Sequence, residues 1–187
     1  MKYYKVLNEY GGACHGGSGK WLLPDGDTPG GWMPRIKQVI PCKRGYHLCR
    51  RGDLVVWLGP TIYLAEGRGE KVVGDDKVVF AEARLIRKFN TWDDRTKRLF
   101  AADCAFHVLH FYEERHPKDD RPRKAIEAVR QFANGLISRQ QLSAARAAAR
   151  VAAWDAEGAA RAAEREWQTR RLFEYLNGKT KFSDALI

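Results

Sequence analysis

Cysteine and histidine residues in the N-terminal half are grouped in a way that could bind a metal ion. Cys42, His47 and Cys49 lie close together, and Cys14 or His15 could supply a fourth ligand from a glycine-rich segment. Thiolate sulfur and imidazole nitrogen are ligands that Zn²⁺ prefers in proteins. The Cys-x4-His-x-Cys spacing is not a common zinc pattern, however, and buried thiols beside a core histidine explain the same residues. The first interpretation is therefore that the protein holds no metal, and a zinc site is the alternative.

A second set of residues, His15, Tyr63 and Glu82, could act on a dinucleotide. His15 precedes a glycine in a loop, Tyr63 lies in a β-prone run and Glu82 in a later one. Their order resembles the His, Tyr and Glu arrangement of ADP-ribosyltransferases, although Gly17 stands where that family has a hydroxyl residue. The resemblance implies that His15 and Tyr63 frame the nicotinamide of NAD and that Glu82 supports the ribose as positive charge develops. An NAD-using transferase is a second alternative.

Arginines along an alanine-rich segment form the clearest predicted surface. A helix turns one hundred degrees per residue and so places these side chains within a sector of about a hundred degrees, together with Glu157. The predicted partner-binding residues are Arg146, Arg150, Trp154, Arg161 and Arg165. Guanidinium groups beside an indole could bind carboxylates on an acidic protein, or grip phosphates and stack a base. An amphipathic helix whose arginine stems cover its neighbours accounts for the same pattern.

Common catalytic motifs are missing from the sequence. It contains no hydrolase elbow and no zincin helix, and Gly17-Ser18-Gly19-Lys20 lacks the spacing of a phosphate-binding loop. These absences weigh against an enzyme, and the first interpretation therefore includes no cofactor.

Composition and charge limit the class of protein. The 187 residues are 44% hydrophobic and 30% charged, which excludes a disordered tail and a collagen-like fibre. The apolar runs are too short to cross a membrane, and the first residues lack a secretory signal, so we expect a cytoplasmic protein with free thiols. The net charge of +10 is divided into +6 over residues 1–90, −2 over 91–120 and +6 over 121–171. The two basic segments could attract an acidic protein or nucleic acid.

Two halves with different periodicities must position these residues. The first 90 residues are predicted to form a β-rich domain, with strands over 3–7, 36–40, 61–64 and 77–86. Clustered glycines and prolines predict a long loop over 11–31. Asp53 is expected to cap a short helix over 54–58.

From Thr91 onward the spacing predicts a helical domain to residue 178 and a tail over 179–187. An acidic first turn at Asp93 begins a helix that ends near Pro117, and a second helix extends from Pro122 to Asn134. A third begins at Ser138 with a capping box and is predicted to continue to Asn177. The fold class is therefore α+β, with a β-rich domain followed by a bundle of about three helices.

Two segments resemble known families. Residues 97–170, with the run Asp-Arg-Pro-Arg-Lys-Ala-Ile-Glu-Ala from Asp120 to Ala128, resemble immunity proteins of bacterial polymorphic-toxin systems. The N-terminal half resembles an uncharacterised domain of phage and bacterial proteins, with Gly45-Tyr46-His47-Leu48-Cys49 in place of Gly-Phe-His-x-Cys. The first resemblance implies a protein that binds and blocks a partner.

The hypothesis is therefore a cytoplasmic binding protein that inhibits a macromolecular partner, in toxin immunity or phage counter-defence. Its most favoured partner is an acidic protein surface. An ADP-ribosyltransferase-like enzyme and a nucleic-acid-binding protein are the alternatives.

Overall fold

The structure is a computed structural model that describes residues 2–149 and 161–179. The chain divides into two compact units, Met1–Asn90 and Thr91–Ile187. The first contains an antiparallel sheet of strands β1 (Tyr3–Leu7), β2 (Tyr46–Leu48), β3 (Thr61–Val73) and β4 (Val78–Lys88). The second contains α-helices α1 (Asp94–Arg115), α2 (Arg121–Ala133), α3 (Arg139–Ala149) and α4 (Arg161–Leu176). The predicted α+β class is confirmed.

The sheet curls because its two outer strands approach each other. The strand order is β1-β3-β4-β2, and all pairs are antiparallel. Tyr4 and Cys49 exchange both backbone hydrogen bonds, at 2.9 and 2.8 Å, and thereby join β1 to the residue that follows β2. The enclosed face carries the apolar core. Its buried members are Tyr3, Leu7, Trp21, Leu48, Tyr63, Ala65, Val78, Phe80, Ala83 and Leu85.

Two glycines explain why β3 extends beyond the predicted Leu64. Gly67 has no side chain because the ring of Phe80 occupies the space that a Cβ atom would fill, only 2.4 Å away. Gly69 has a φ of +77°, and it lies where the register shifts between Arg68 and Lys71. The positive φ is typical of a glycine in a β-bulge. The glycines therefore continue the strand around a bend.

The segment from Gly30 to Ile36 lies along β4 without forming a strand. The backbone N–H groups of Gly30, Met33 and Ile36 each donate to a β4 carbonyl, at 2.9 Å. The strand predicted over 36–40 is therefore wrong. Only isolated bonds form there, since Ile40 closes a tight turn with Arg44 and the edge of β4 near Phe80 is occupied by β2.

The predicted short helix over 54–58 is a 3₁₀ helix over Leu54–Trp57. The carboxylate of Asp53 does not cap it. That carboxylate instead accepts from the guanidinium of Arg50, which also donates to the carbonyls of Gly74 and Asp75. The helix is thereby tied to the turn between β3 and β4.

Local signals define the ends of α1, α2 and α3. The carboxylate of Asp93 accepts from the N–H of Thr96 at 2.7 Å and caps α1. Gly135, with a φ of +74°, ends α2 in a Schellman motif. The capping box of α3 forms as predicted, because Ser138 and Gln141 exchange bonds between side chain and backbone.

The helices pack as antiparallel pairs. Asp103 of α1 contacts Arg130 of α2, while Glu113 ten residues later contacts Arg123, so α1 and α2 lie antiparallel. Apolar side chains fill the space between them. They are Ala102, Phe106, Leu109, Ile126 and Val129.

One continuous third helix over 138–177 is a wrong prediction. A straight helix of that length would be about 60 Å long. Both of its ends, however, lie near the start of α1. Arg139 lines the same cleft as Arg98, and the carbonyl of Leu176 accepts from the hydroxyl of Thr91 at 2.8 Å. The described residues of the second unit therefore form four helices instead of about three.

Candidate partner-binding site

A cleft of about 420 Å³ lies where α3 meets α1 and α2. Three of the described side chains that line it are arginines, one from α1 and two from α3. The lining residues are Arg98, Phe132, Arg139, Leu142, Ser143, Arg146 and Ala147. We name this group of residues the basic cleft.

The helical spacing of α3 aims two arginines at the basic cleft. Arg139 and Arg146 are seven residues apart, which is two turns and about 10 Å along a helix, so they project from the same face. Leu142 lies between them and is only 6% exposed, so it anchors that face of α3 to the bundle. The two guanidinium groups therefore stand on either side of an apolar base.

The arginines of the basic cleft differ in their partners. Arg98 donates to the carbonyl of Asp94 at 2.7 Å, and its guanidinium lies 5.3 Å from the ring centroid of Phe132. Arg139 and Arg146 are exposed and make no hydrogen bond or ion pair with any residue that the structure describes. Within the described residues, the cleft thus presents two forked donors that can bind an anion.

A largely buried carboxylate on α1 contacts side chains of two neighbouring helices, of which α2 also lines the basic cleft. Asp103 has a side chain that is 12% exposed, and it accepts from Arg130 at 3.1 Å and from Arg171 at 2.8 Å. The hydroxyl of Tyr175 donates to the same carboxylate at 2.7 Å, and burial together with this bond raises the pKa of Tyr175. The tyrosine therefore stays a neutral donor at physiological pH. The cluster joins α1, α2 and α4.

Sequence reasoning missed this cluster. Asp103 stands within the apolar stripe of α1, four residues after Leu99 and next to Ala102. A carboxylate inside such a stripe needs cationic or hydrogen-bonding partners from another element. That signal was present in the sequence, but the identity of the partners was not.

A second cleft of about 340 Å³ lies beside the Asp103 cluster. Its wall includes the rings of His107 and Trp167, which stack in parallel with centroids 3.9 Å apart. Its arginines are already paired, since Arg130 and Arg171 contact Asp103 and Arg170 contacts Glu166 at 3.5 Å. The basic cleft is therefore the better candidate for binding an anionic partner.

The part of the chain that contains the basic cleft has a recognisable relative. Residues 87–167 match the family model described as Imm-5 like putative immunity protein. This match confirms the resemblance predicted for the C-terminal half. No curated protein and no solved structure matches the chain significantly. The resemblance of the N-terminal half is not tested by the match and stays a prediction.

The Imm-5 like region covers α1, α2, α3 and the first turns of α4. Every residue that lines the basic cleft lies within it. The match points to an immunity-type binding protein. None of the helices that the structure describes is long and apolar enough to span a membrane.

The predicted arginine surface is distributed over two helices. Arg146 lies on α3 in the basic cleft, and Arg165 is exposed on α4. Arg161 is the first residue of α4, and its side chain is not described; Arg150 and Trp154 lie outside the described residues. Arg146 and Arg165 therefore lie on different described helices, and the predicted stripe that would join them stays a prediction. The tail after residue 179 also lies outside the described residues.

The residues of the alternative NAD site do not converge. Tyr63 is 3% exposed and lies in the apolar core, so its ring cannot contact a ligand from solvent. The imidazole of His15 contacts the carbonyl of Trp57 at 2.9 Å, and Glu82 accepts from Arg68 at 2.7 Å. No described contact links the three side chains.

The alternative zinc ligands do not form a metal site either. Among the described residues, no group of three or more His, Cys, Asp or Glu side chains is placed to hold a metal. The Nε2 atom of His47 already accepts from the N–H of Cys42 at 2.9 Å. The ammonium of Lys5, which interacts electrostatically with Cys14 and Cys49, would repel a cation. All four cysteines are free thiols.

Alkylation near pH 8 is expected to distinguish Cys42 from Cys49. Cys42 is exposed, whereas Cys49 is 8% exposed, and burial raises the pKa of its thiol to about 12. Near pH 8, only about one Cys49 thiol in ten thousand is then the reactive thiolate. Iodoacetamide treatment followed by peptide mass spectrometry should show Cys42 modified well before Cys49. Equal rates in the folded protein would contradict this, and unfolded protein, in which both react, is the control.

Proposed function

We propose that this protein is an immunity-type inhibitor that binds a toxin protein and blocks it without chemical turnover. The match of residues 87–167 supports an immunity-type binding protein. The observation that carries the proposal further is that the described lining of the basic cleft, which includes the exposed Arg139 and Arg146, lies entirely within the matched region. The four free thiols agree with action in the reducing cytoplasm.

The proposed binding surface is the basic side of the helical unit. It includes Arg139 and Arg146 of the basic cleft and extends to Arg165 of α4. The proposed surface also includes Arg150, Trp154 and Arg161. These three residues are included because of their spacing in the sequence alone. Opposite charges on two proteins speed their encounter and favour one orientation of docking. The net charge of +10 therefore favours a toxin with an acidic surface.

We also propose that the two compact units are separate domains, with the β-rich domain over residues 1–90 and the helical domain over 91–178. The helical domain would carry the inhibition. The β-rich domain would then be an addition to the immunity module, as in an accessory protein of phage counter-defence.

Co-expression with toxins is the direct test of the proposed function. The toxic domains of polymorphic-toxin systems in the native host would each be induced in a bacterial strain, with and without this protein. We expect colony formation to be restored for one toxin and not for unrelated ones, because immunity proteins act by specific binding. A catalytically inactive toxin serves as the control for expression, and the neutralised pair should co-elute in gel filtration.

Two results would contradict the proposed function. Failure to restore growth with every toxin of the host would remove the immunity assignment. Consumption of labelled NAD by the purified protein would instead favour the transferase alternative.

A further inference from the structure

We infer that the basic cleft is the anchor pocket for an acidic segment of the protein partner, which presents aspartate or glutamate side chains beside an apolar one. This inference rests on the proposed function and names the chemistry of its partner.

The charges around the basic cleft favour a carboxylate. Arg139 and Arg146 are both exposed, and the described residues provide neither with an anionic partner. The acidic residue nearest in sequence to Arg98 is Asp94, which already contacts Arg98 at 3.6 Å and Lys97 at 3.2 Å. The guanidinium fork matches a carboxylate in planarity and in the spacing of its donors. The pocket thus presents guanidinium groups that no carboxylate of residues 2–149 or 161–179 neutralises.

The apolar surroundings favour a segment with mixed character. The base of the cleft is formed by Leu142 and the half-buried Phe132. Leu136, in the loop that leads into α3, is 70% exposed. Leu136 is the second residue after the end of α2, a position at which an apolar side chain often packs against the last turn of its own helix. Because it is exposed instead, its side chain can contact an apolar group of a partner. An apolar side chain next to the carboxylate could cover this leucine.

The same geometry argues against a nucleic acid. Binding of single strands combines a basic groove with aromatic faces on which bases stack. Among the described lining residues the aromatic side chain is Phe132, and the guanidinium of Arg98 already lies against its ring. The described part of the cleft therefore offers charge without a free stacking face.

Binding of a defined peptide tests the inference. The probe is a fluorescein-labelled hexapeptide of four glutamates and two leucines, and its glutamine counterpart is the uncharged control. Fluorescence anisotropy at low salt is expected to show binding of the acidic peptide only. The Arg139→Glu/Arg146→Glu variant should bind it at least about tenfold more weakly, because it replaces both proposed carboxylate-binding groups by negative charges.

A matched variant separates the cleft from overall charge. Lys118→Glu/Arg170→Glu makes the same change in net charge at exposed positions of the helical unit that do not line the cleft. We expect this variant to keep its affinity within about twofold. Circular dichroism melts of all variants establish that they are folded.

Several outcomes would overturn the inference. They are absence of peptide binding by the wild-type protein, equal losses in the two variants, and a stronger, cleft-dependent interaction with a DNA or RNA oligonucleotide. Failures of the two proposals are distinguishable by growth rescue. Rescue that survives Arg139→Glu/Arg146→Glu would refute the pocket and keep the immunity function. Peptide binding without any rescue by the wild-type protein would keep the pocket and refute that function.

Discussion

Replacing Asp103 by alanine is expected to lower the free energy of unfolding of the helical unit by about 3 kcal/mol, because it removes the anionic partner of two partly buried guanidinium groups. Arg130 and Arg171 both lose their carboxylate, and the hydroxyl of Tyr175 loses its acceptor. The side chains of Arg130 and Arg171 are 27% and 28% exposed, so water recovers part of the loss. The contacts of Asp103 join three helices, so the effect should extend through the unit.

Urea unfolding followed by circular dichroism at the helix signal measures this effect. Asp120→Ala is the matched control, because its carboxylate is 62% exposed and pairs with Lys124 on the surface. That variant should stay within about 0.5 kcal/mol of wild type. A loss below about 1 kcal/mol for Asp103→Ala would show that the cluster contributes little to stability.

Gly67→Ala is expected to destabilise the β-rich unit by about 2 kcal/mol through overpacking. An added Cβ atom would lie 2.4 Å from the Cγ of Phe80, which is the root of the ring and not a flexible end. Phe80 is 3% exposed, and its ring packs edge-on against Tyr3 with centroids 5.0 Å apart. The ring therefore cannot move without disturbing the core.

Urea unfolding followed by tryptophan fluorescence measures this effect. Trp21 lies in the same core cluster and reports on the β-rich unit. Gly19→Ala is the control, because no other residue lies within 4 Å of its Cβ position. The clash is further tested by Gly67→Ala/Phe80→Leu, which should be less destabilised than the sum of its single changes. Strict additivity would mean that the ring of Phe80 is not the cause.

The helix ends could be predicted because their causes are local. The side chain of Asp93, the ring of Pro117, the left-handed Gly135 and the capping box at Ser138 act within a few residues of where they stand. Such signals are fully present in the sequence. They placed α1, α2 and the start of α3 to within one or two residues.

The misplaced elements depend on distant contacts. The alanines favour helix throughout 144–163, and nothing in their periodicity shows that α3 packs against α2 while α4 packs against α1. The three residues of β2 are too few to form a pattern, and they are a strand because β4 pairs with them. Glycine has a low propensity for strands, so Gly67 and Gly69 argue against a long β3 in the sequence. In the fold, however, Gly67 makes room for the ring of Phe80, and Gly69 adopts the positive φ of the bulge.

The candidate site was predictable only in part for the same reason. Arg146 was among the predicted partner-binding residues, because its spacing from other arginines is visible along one helix. Arg98 and Arg139 join it only when α1 and α3 come together in the bundle. A cleft formed by separate helices has no signature in the periodicity of any one of them.

The curled sheet bears on how this protein behaves at high concentration. An unpaired strand edge can recruit the same edge of another molecule and template fibril growth. Here Cys49 occupies the hydrogen-bonding groups of Tyr4, and the segment from Gly30 to Ile36 occupies carbonyls of β4. The remaining stretch of β3 presents Arg68 and Glu70, whose charges oppose stacking. These features oppose edge-to-edge polymerisation of the β-rich unit at concentrations where an open sheet would aggregate.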